Sequence, residues 1–196
     1  SVPTVQKAIL PDPPPVTNND RIHLSLCSGM GTCAYVLRMI GAELSRSIGV
    51  ENCPTKRLIC ENLNPPSSVP NGGVDHSWHN DVFDITRQDI EDLGTDSIAR
   101  CDIAAPCKDF ALSRLLPSKF GGKLSNPRPG LAGKYGLVLV QCLLVLSWVL
   151  EFNPSCEYFM ENLKFDDLKA DWAQVCRQVG DPLILDSADY SCQRCV

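Results

Sequence analysis

The sequence predicts an α/β fold: one mostly parallel, doubly wound sheet with helices packed against it. Three observations predict it. Short apolar runs of strand length alternate with longer segments whose apolar residues recur at helical spacing. The first run, Ile22 to Cys27, empties into Ser28-Gly29-Met30-Gly31-Thr32 and then an amphipathic helix, an order that aims backbone N–H groups at a ligand. Polar and reactive residues also collect just past the ends of the apolar runs, where open parallel sheets place their binding crevice.

The 196 residues, 44% hydrophobic and 21% charged, suit one well-buried domain. Residues 1–10 suit a short helix with Val2, Val5, Ile9 and Leu10 apolar, and Pro11 to Pro15 stops it as a stiff linker. The helix after the glycine turn is expected to run to about Ser47. Arg57 to Cys60 reads as a second strand ending in Glu61, an acid placed to accept hydrogen bonds from ribose hydroxyls, although an exposed loop acid fits equally. Asn62 to Ser77 reads as a Pro/Gly/Ser loop without chemistry, and Asn80-Asp81-Val82 as a brief strand end. Thr86 and Asp89 have the spacing of a capping box opening a helix over Arg87 to Leu93.

Arg100 to Ala105 reads as a buried strand that delivers Pro106-Cys107 to the crevice. A thiol there suits a nucleophile; a small buried hydrophobe is the competing role. The next helix covers Leu137 to Glu151. Strand Glu157 to Met160 then ends in Glu161-Asn162, and Phe165, Leu168, Trp172, Val175 and Val179 mark a helix closed by Gly180. Pro182 to Leu185 begins one more strand.

Net charge is −5, which excludes a generally basic nucleic-acid binder. Yet residues 108–134 carry six basic side chains (Lys108, Arg114, Lys119, Lys123, Arg128, Lys134) and one acid, Asp109, hence +5 directly after Cys107. That segment suits a polyanionic substrate or a solvated loop. The eleven cysteines form no tight ladder and read as reduced thiols of an intracellular protein. Cys192/Cys195 and His76/His79 lack a matching second pair at zinc spacing, so no metal is expected. The apolar run Leu137 to Phe152 is interrupted by Gln141, Ser147 and Glu151 and is shorter than the roughly 20 residues that span a bilayer, so it reads as a core helix and no membrane partner is expected.

In order, Gly29/Gly31, Glu61, Asp81, Cys107 and Glu161-Asn162 stand at successive predicted strand ends. This series resembles the cytosine carbon-5 DNA methyltransferase family. Leu24-Ser25-Leu26-Cys27-Ser28-Gly29-Met30-Gly31 is similar to its motif I, Ala105-Pro106-Cys107 to motif IV and Phe159-Met160-Glu161-Asn162-Leu163 to motif VI. Asn80 to Thr86, Pro106-Cys107-Lys108-Asp109-Phe110 and Asn126 to Leu131 resemble the de novo-type branch most.

The resemblance implies a Rossmann-like S-adenosylmethionine-dependent methyltransferase fold, S-adenosylmethionine as cofactor, and transfer of its methyl group to carbon 5 of a flipped cytosine in DNA. It implies that Ser28, Gly29, Met30 and Gly31 hold the methionine end, Glu61 the ribose and Asp81 with Val82 the adenine. Pro106 and Leu137 line the same site. Cys107 is the implied nucleophile, Glu161 the partner of ring nitrogen 3, Asn162 a positioner of the Cys107 loop and Arg194 a base contact; the six basic residues 108–134 would hold nucleic acid.

There are departures. Lys108 stands where the family has Gln or Asn, and the segment around Arg194 is a short version of motif VIII. Ser1-Val2-Pro3 resembles motif X, which usually comes last, and with it Ser1 and Val2 would reach the cofactor. Residues 1–20 are thus expected as a motif X-like helix and linker. Residues 21–196 are expected as the catalytic core, with target recognition supplied by a second chain or downstream domain. The implied location is the nucleus in a eukaryote and the cytoplasm otherwise. Alternatives are a catalytically deficient binding or regulatory subunit on the same fold, an RNA cytosine methyltransferase and, remotely, a thiol or zinc protein.

Overall fold

A computed structural model describes residues 21–63, 73–111 and 128–184. In chain order the elements are β1 (Ile22–Leu26), α1 (Thr32–Met39), β2 (Arg46–Val50), α2 (Pro54–Leu63), β3 (Val74–Asp75), a 3-10 turn (Val82–Asp84) and α3 (Arg87–Asp92). Then follow β4 (Ile98–Ile103), a second 3-10 turn (Gly130–Ala132), α4 (Lys134–Phe152), β5 (Glu157–Met160) and α5 (Lys169–Val179).

The five strands form one sheet in the order β3-β2-β1-β4-β5, and every pairing is parallel. From β1 the chain winds outward through β2 and β3, then crosses back to place β4 on the other side of β1. The fold is therefore the doubly wound, Rossmann-like α/β sheet, with its switch point between β1 and β4.

The two faces of the sheet differ in chemistry. Ile22, Leu24 and Leu26 of β1, with Ile48, Val50, Cys101 and Ile103 of its neighbours, belong to one buried core with α4, which contributes Leu139, Cys142, Leu143, Val145, Leu146 and Val149. Alternation sends the intervening residues to the other face. There His23 Nε2 meets Asp102 Oδ2 at 2.9 Å, His23 Nδ1 meets Ser47 Oγ at 3.2 Å, and Arg100 Nε donates to Asp102 Oδ1 at 3.1 Å. Burial pulls the Asp102 carboxyl upward, but the His23 and Arg100 interactions outweigh it and hold it below its usual range. An ionised carboxylate only accepts, so Nε2 donates to Asp102. On α1, Ala34 packs with Cys60 of α2 and Val74 of β3 in a second small core.

Several elements differ from the expectation. The helix after the glycine turn stops at Met39, because Gly41 at φ 75° takes the left-handed conformation that ends helices. Arg46–Val50 is released to pair with β1 as the second strand. Arg57 to Cys60, expected as that strand, lies within α2, whose first residue is Pro54, a position where the missing N–H costs nothing. Within the expected loop 62–77, the end of α2 and β3 are ordered elements. Asn80-Asp81 is a bend, with Asp81 capping the 3-10 turn that Val82 opens. The capping box of α3 forms with both of its hydrogen bonds. Helix α5 starts at Lys169, leaving Phe165 ahead of it, and residues 182–184 form no strand. Helix α4 has 19 residues, long and apolar enough to cross a membrane, but it supplies buried residues to the core.

Candidate active site

The carboxyl ends of β1, β2 and β4 open onto a cleft of about 340 Å³. Cys27, which opens the turn after β1, forms part of its wall. Cys27, Gly29 and Gly31 all have left-handed φ (58°, 57° and 74°), a conformation glycine adopts without the steric cost that Cys27 bears. The turn is pinned where Ser28 N donates to Val50 O at 3.0 Å and Ser28 Oγ meets His76 Nε2 at 3.2 Å. Met30 is half-exposed.

The acid at the β2 tip is Glu51, which the sequence patterning does not single out. It is only 5% exposed; its two oxygens accept from Gly29 N and Cys53 N, each at 3.0 Å, and Lys56 Nζ lies 3.6 Å away. The local signal is Ser47-Ile48-Gly49-Val50-Glu51, a short apolar run ending in an acid, which lies directly after the helix expected to reach Ser47. Glu61, expected at a strand tip, is exposed on α2 and does not line the cleft. Asp81 and Val82 do line it, and Asn52 Nδ2 donates to Asp81 Oδ2 at 3.2 Å.

Beyond β4, Ala104 and Pro106 line the cleft, and partly buried Cys107 opens a tight turn whose carbonyl accepts from Phe110 N and Ala111 N at 3.0 and 3.1 Å. Asp109 anchors that turn to α4: its buried Oδ2 accepts from Tyr135 N at 2.6 Å and Gly136 N at 3.1 Å. Gly136 is required there, since a Cβ would stand 1.9 Å from the Gly130 carbonyl oxygen. From β5, Glu161 N donates to Ile103 O at 3.0 Å and Asn162 Nδ2 to Ala105 O at 3.3 Å, which sets Glu161-Asn162 beside the Cys107 segment. The Glu161 side chain is exposed.

The remaining expected residues separate into three groups. Lys108 and Lys134 line the cleft near the Tyr135 ring, with Nζ atoms 4.9 and 5.9 Å from its centre. Leu137 is half-exposed and does not line the cleft; Val138, one residue on, and Tyr135 do, because the helix turns that face inward. Arg128 is not available as a free cation: its side chain is largely buried, donates to Phe110 O at 2.9 Å and pairs with Asp167. Ser1, Val2, Arg114, Lys119, Lys123 and Arg194 lie outside the described residues, as do the Pro-rich linker and Cys192/Cys195.

Three thiols away from the cleft are held in the protonated form. Burial, reinforced by the Asp102 carboxylate, pushes Cys33 up to about 11 and Cys156 to about 12, and burial drives Cys101 well above its ordinary value. Such thiols stay protonated and inert near neutrality. His76 and His79 take separate partners, Ser28 and Asp89, and no group of three or more His, Cys, Asp or Glu side chains among the described residues could hold a metal ion.

No family model matches the sequence. No curated protein matches it either. Among solved structures, the fold is similar to the crystal structure of the S. pombe Dnmt2 methyltransferase, with 19% sequence identity and a TM-score of 0.46 over 80% of this chain and 40% of that one. The chain thus spans about two fifths of that neighbour's length.

Proposed function

We propose that this chain is the cofactor-binding and nucleophile-bearing core of a methyltransferase that moves the methyl group of S-adenosylmethionine to carbon 5 of cytosine in DNA. The observation that carries the reading is convergence. Cys27, Glu51 and Asp81 line one cleft, with the glycine turn held against it through Gly29 N on Glu51, while the Cys107 turn and Glu161-Asn162 stand together on its β4–β5 side.

The residues suit the cofactor. About 340 Å³ falls within the range of small-ligand sites, roughly 300–1,000 Å³. Glu51 has lone pairs left to accept from a ribose diol, and it replaces Glu61 in that role. Asp81 accepts from an exocyclic amine, Val82 and Val138 offer apolar contact, and the amino-acid end lies toward Cys27 and the glycine turn that follows it. When bound, the cofactor supplies an electrophilic methyl group.

The protein's own residues do the rest. The Cys107 thiolate adds to carbon 6 of cytosine, and the electron pair this releases makes carbon 5 nucleophilic. Glu161 hydrogen-bonds ring nitrogen 3, stabilising the charge that develops there. Asn162 holds the Ala105 carbonyl and with it the approach of Cys107. After carbon 5 is methylated it loses its proton, and the Cys107–carbon 6 bond breaks to restore the thiol. Lys108 and Lys134 contact phosphates at the rim. Ser1-Val2 packing near Gly29 and Arg194 contacting the base are further parts of this proposal.

The deciding experiment is transfer of labelled methyl from S-adenosylmethionine to duplex DNA and, separately, to RNA. Label on carbon 5 of cytosine in DNA supports the reading. Label in RNA alone reassigns the substrate, and cofactor binding without transfer to either makes the chain a binding or regulatory subunit.

A further inference from the structure

The chain has two thiols in contact that the methyl-transfer reading does not use. Cys27 follows β1 at the left-handed φ of 58° and lines the cleft, partly exposed. Cys142 is buried on α4 beneath it, and the two sulfurs are 3.9 Å apart. We propose that Cys27 and Cys142 form a reversible oxidation site, a thiol pair that closes to a disulfide under a hydroperoxide and alters the cleft above it.

The geometry is close to what the bond needs. A disulfide requires about 2.05 Å between sulfurs, so closure draws them together by a little under 2 Å. The surroundings assign the order of events. The hydrogen bond with Cys27, and then burial, push the Cys142 thiol well up, so Cys142 keeps its proton, and Cys27, on the cleft and partly exposed, is the sulfur a peroxide reaches first. The Cys27 thiolate attacks a peroxide oxygen, breaks the O–O bond and becomes a sulfenic acid, and with hydrogen peroxide one water leaves. Cys142 sulfur then attacks the sulfenic sulfur, its proton leaves with the departing hydroxide as a second water, and the S–S bond forms. Two thiols are oxidised and one peroxide is reduced; a small dithiol reverses the step by exchange.

The consequence follows from what Cys27 carries. Ser28 N, the next amide, donates to Val50 O, and Gly29 N donates to Glu51. Drawing Cys27 toward α4 moves this turn relative to Glu51, so the oxidised form has a different ligand wall. That coupling to ligand rests on the proposed cofactor site; the disulfide itself does not.

The test uses the full chain treated with a small excess of hydrogen peroxide, blocked with a maleimide, digested without reductant and mapped by mass spectrometry. A peptide joining Cys27 to Cys142, lost on dithiothreitol treatment, is the expected result. Cys142→Ala should stop at a Cys27 sulfenic acid trapped by dimedone; if that variant does not fold, Cys27→Ser must abolish the joined peptide instead. Affinity for S-adenosylmethionine should fall about tenfold or more on oxidation and recover with dithiothreitol, the scale of ordinary coupling between sites. Recovery of both thiols as maleimide adducts, or Cys27 joined to a different cysteine such as Cys101, overturns the proposal. A Cys27–Cys142 disulfide in a chain that binds no S-adenosylmethionine in either state upholds the oxidation site and overturns the cofactor reading.

Discussion

Asn162 donates from Nδ2 to the carbonyl of Ala105 over 3.3 Å, tying the end of β5 to the segment that presents Cys107 two residues later. A carboxylate and a thiol that follow separate strands thereby share one frame. Removing this link tests positioning: Asn162→Ala should lower kcat by about 10- to 100-fold with little change in cofactor affinity, the usual cost of misplacing a reactive group. Equal loss in kcat and in cofactor binding, measured by single-turnover kinetics and calorimetry, would show that Asn162 supports the cleft as a whole.

Chemistry and binding should separate at Cys107. Cys107→Ser should abolish methyl transfer and leave S-adenosylmethionine binding nearly unchanged, because the thiol acts on the base. Glu161→Gln should lose about 10²- to 10⁴-fold, the range for a group that handles a proton in the transition state. Methyl transfer at the wild-type rate by Cys107→Ser would falsify the covalent route.

Glu51 and Glu61 make opposite predictions. Glu51→Ala and Asp81→Ala should each weaken cofactor binding by about 1–3 kcal/mol, the range for hydrogen bonds to charged groups. Glu61→Ala, on the exposed side of α2, should leave it unchanged. Calorimetry in which only Glu61→Ala loses affinity would move the ribose site away from the β2 tip.

The basic residues should divide by their surroundings. Lys108→Ala with Lys134→Ala should flatten the salt dependence of DNA binding, by about 0.9 in the logarithmic slope for each phosphate that no longer meets a lysine. Arg128→Ala should instead lower thermal stability, since its guanidinium joins Phe110 O to Asp167 inside the fold. A full slope change from Arg128→Ala with unaltered melting would put that arginine on the DNA.

The buried polar ladder makes the fold acid-sensitive. Asp102 has a folded pKa below its ordinary value, so the stability it contributes is fully present above about pH 4 and is lost as pH falls through the lowered folded value. Asp102→Ala should cost about 1–3 kcal/mol for the buried His23 donor it orphans, and should flatten the acid limb. Urea titrations between pH 3 and 7 measure both effects; parallel curves for wild type and variant would remove Asp102 from the acid transition.

What the sequence determined by itself lies where neighbours in the chain settle the conformation. Ile22 to Cys27 followed by glycines announces strand, turn and helix, because left-handed positions need glycine and the apolar run needs a core. Thr86 and Asp89 announce a helix start through two hydrogen bonds only three residues apart. Pro106-Cys107 and Glu161-Asn162 follow strands whose composition alone is β-prone.

Tertiary structure decided the rest. Arg46–Val50 and Arg57 to Cys60 are both short apolar runs, and periodicity cannot rank them. Pairing with β1 gave the first to the sheet, and Pro54 with the Glu51 carboxylate on Cys53 N gave the second to a helix. So the acid at the β2 tip is Glu51. Likewise His23, Ser47 and Asp102 sit on three strands separated by long stretches of chain, and only the parallel register brings them within hydrogen-bond distance. A hydrogen bond between distant residues leaves no local periodic trace, because the energy that selects it appears only once the sheet has formed.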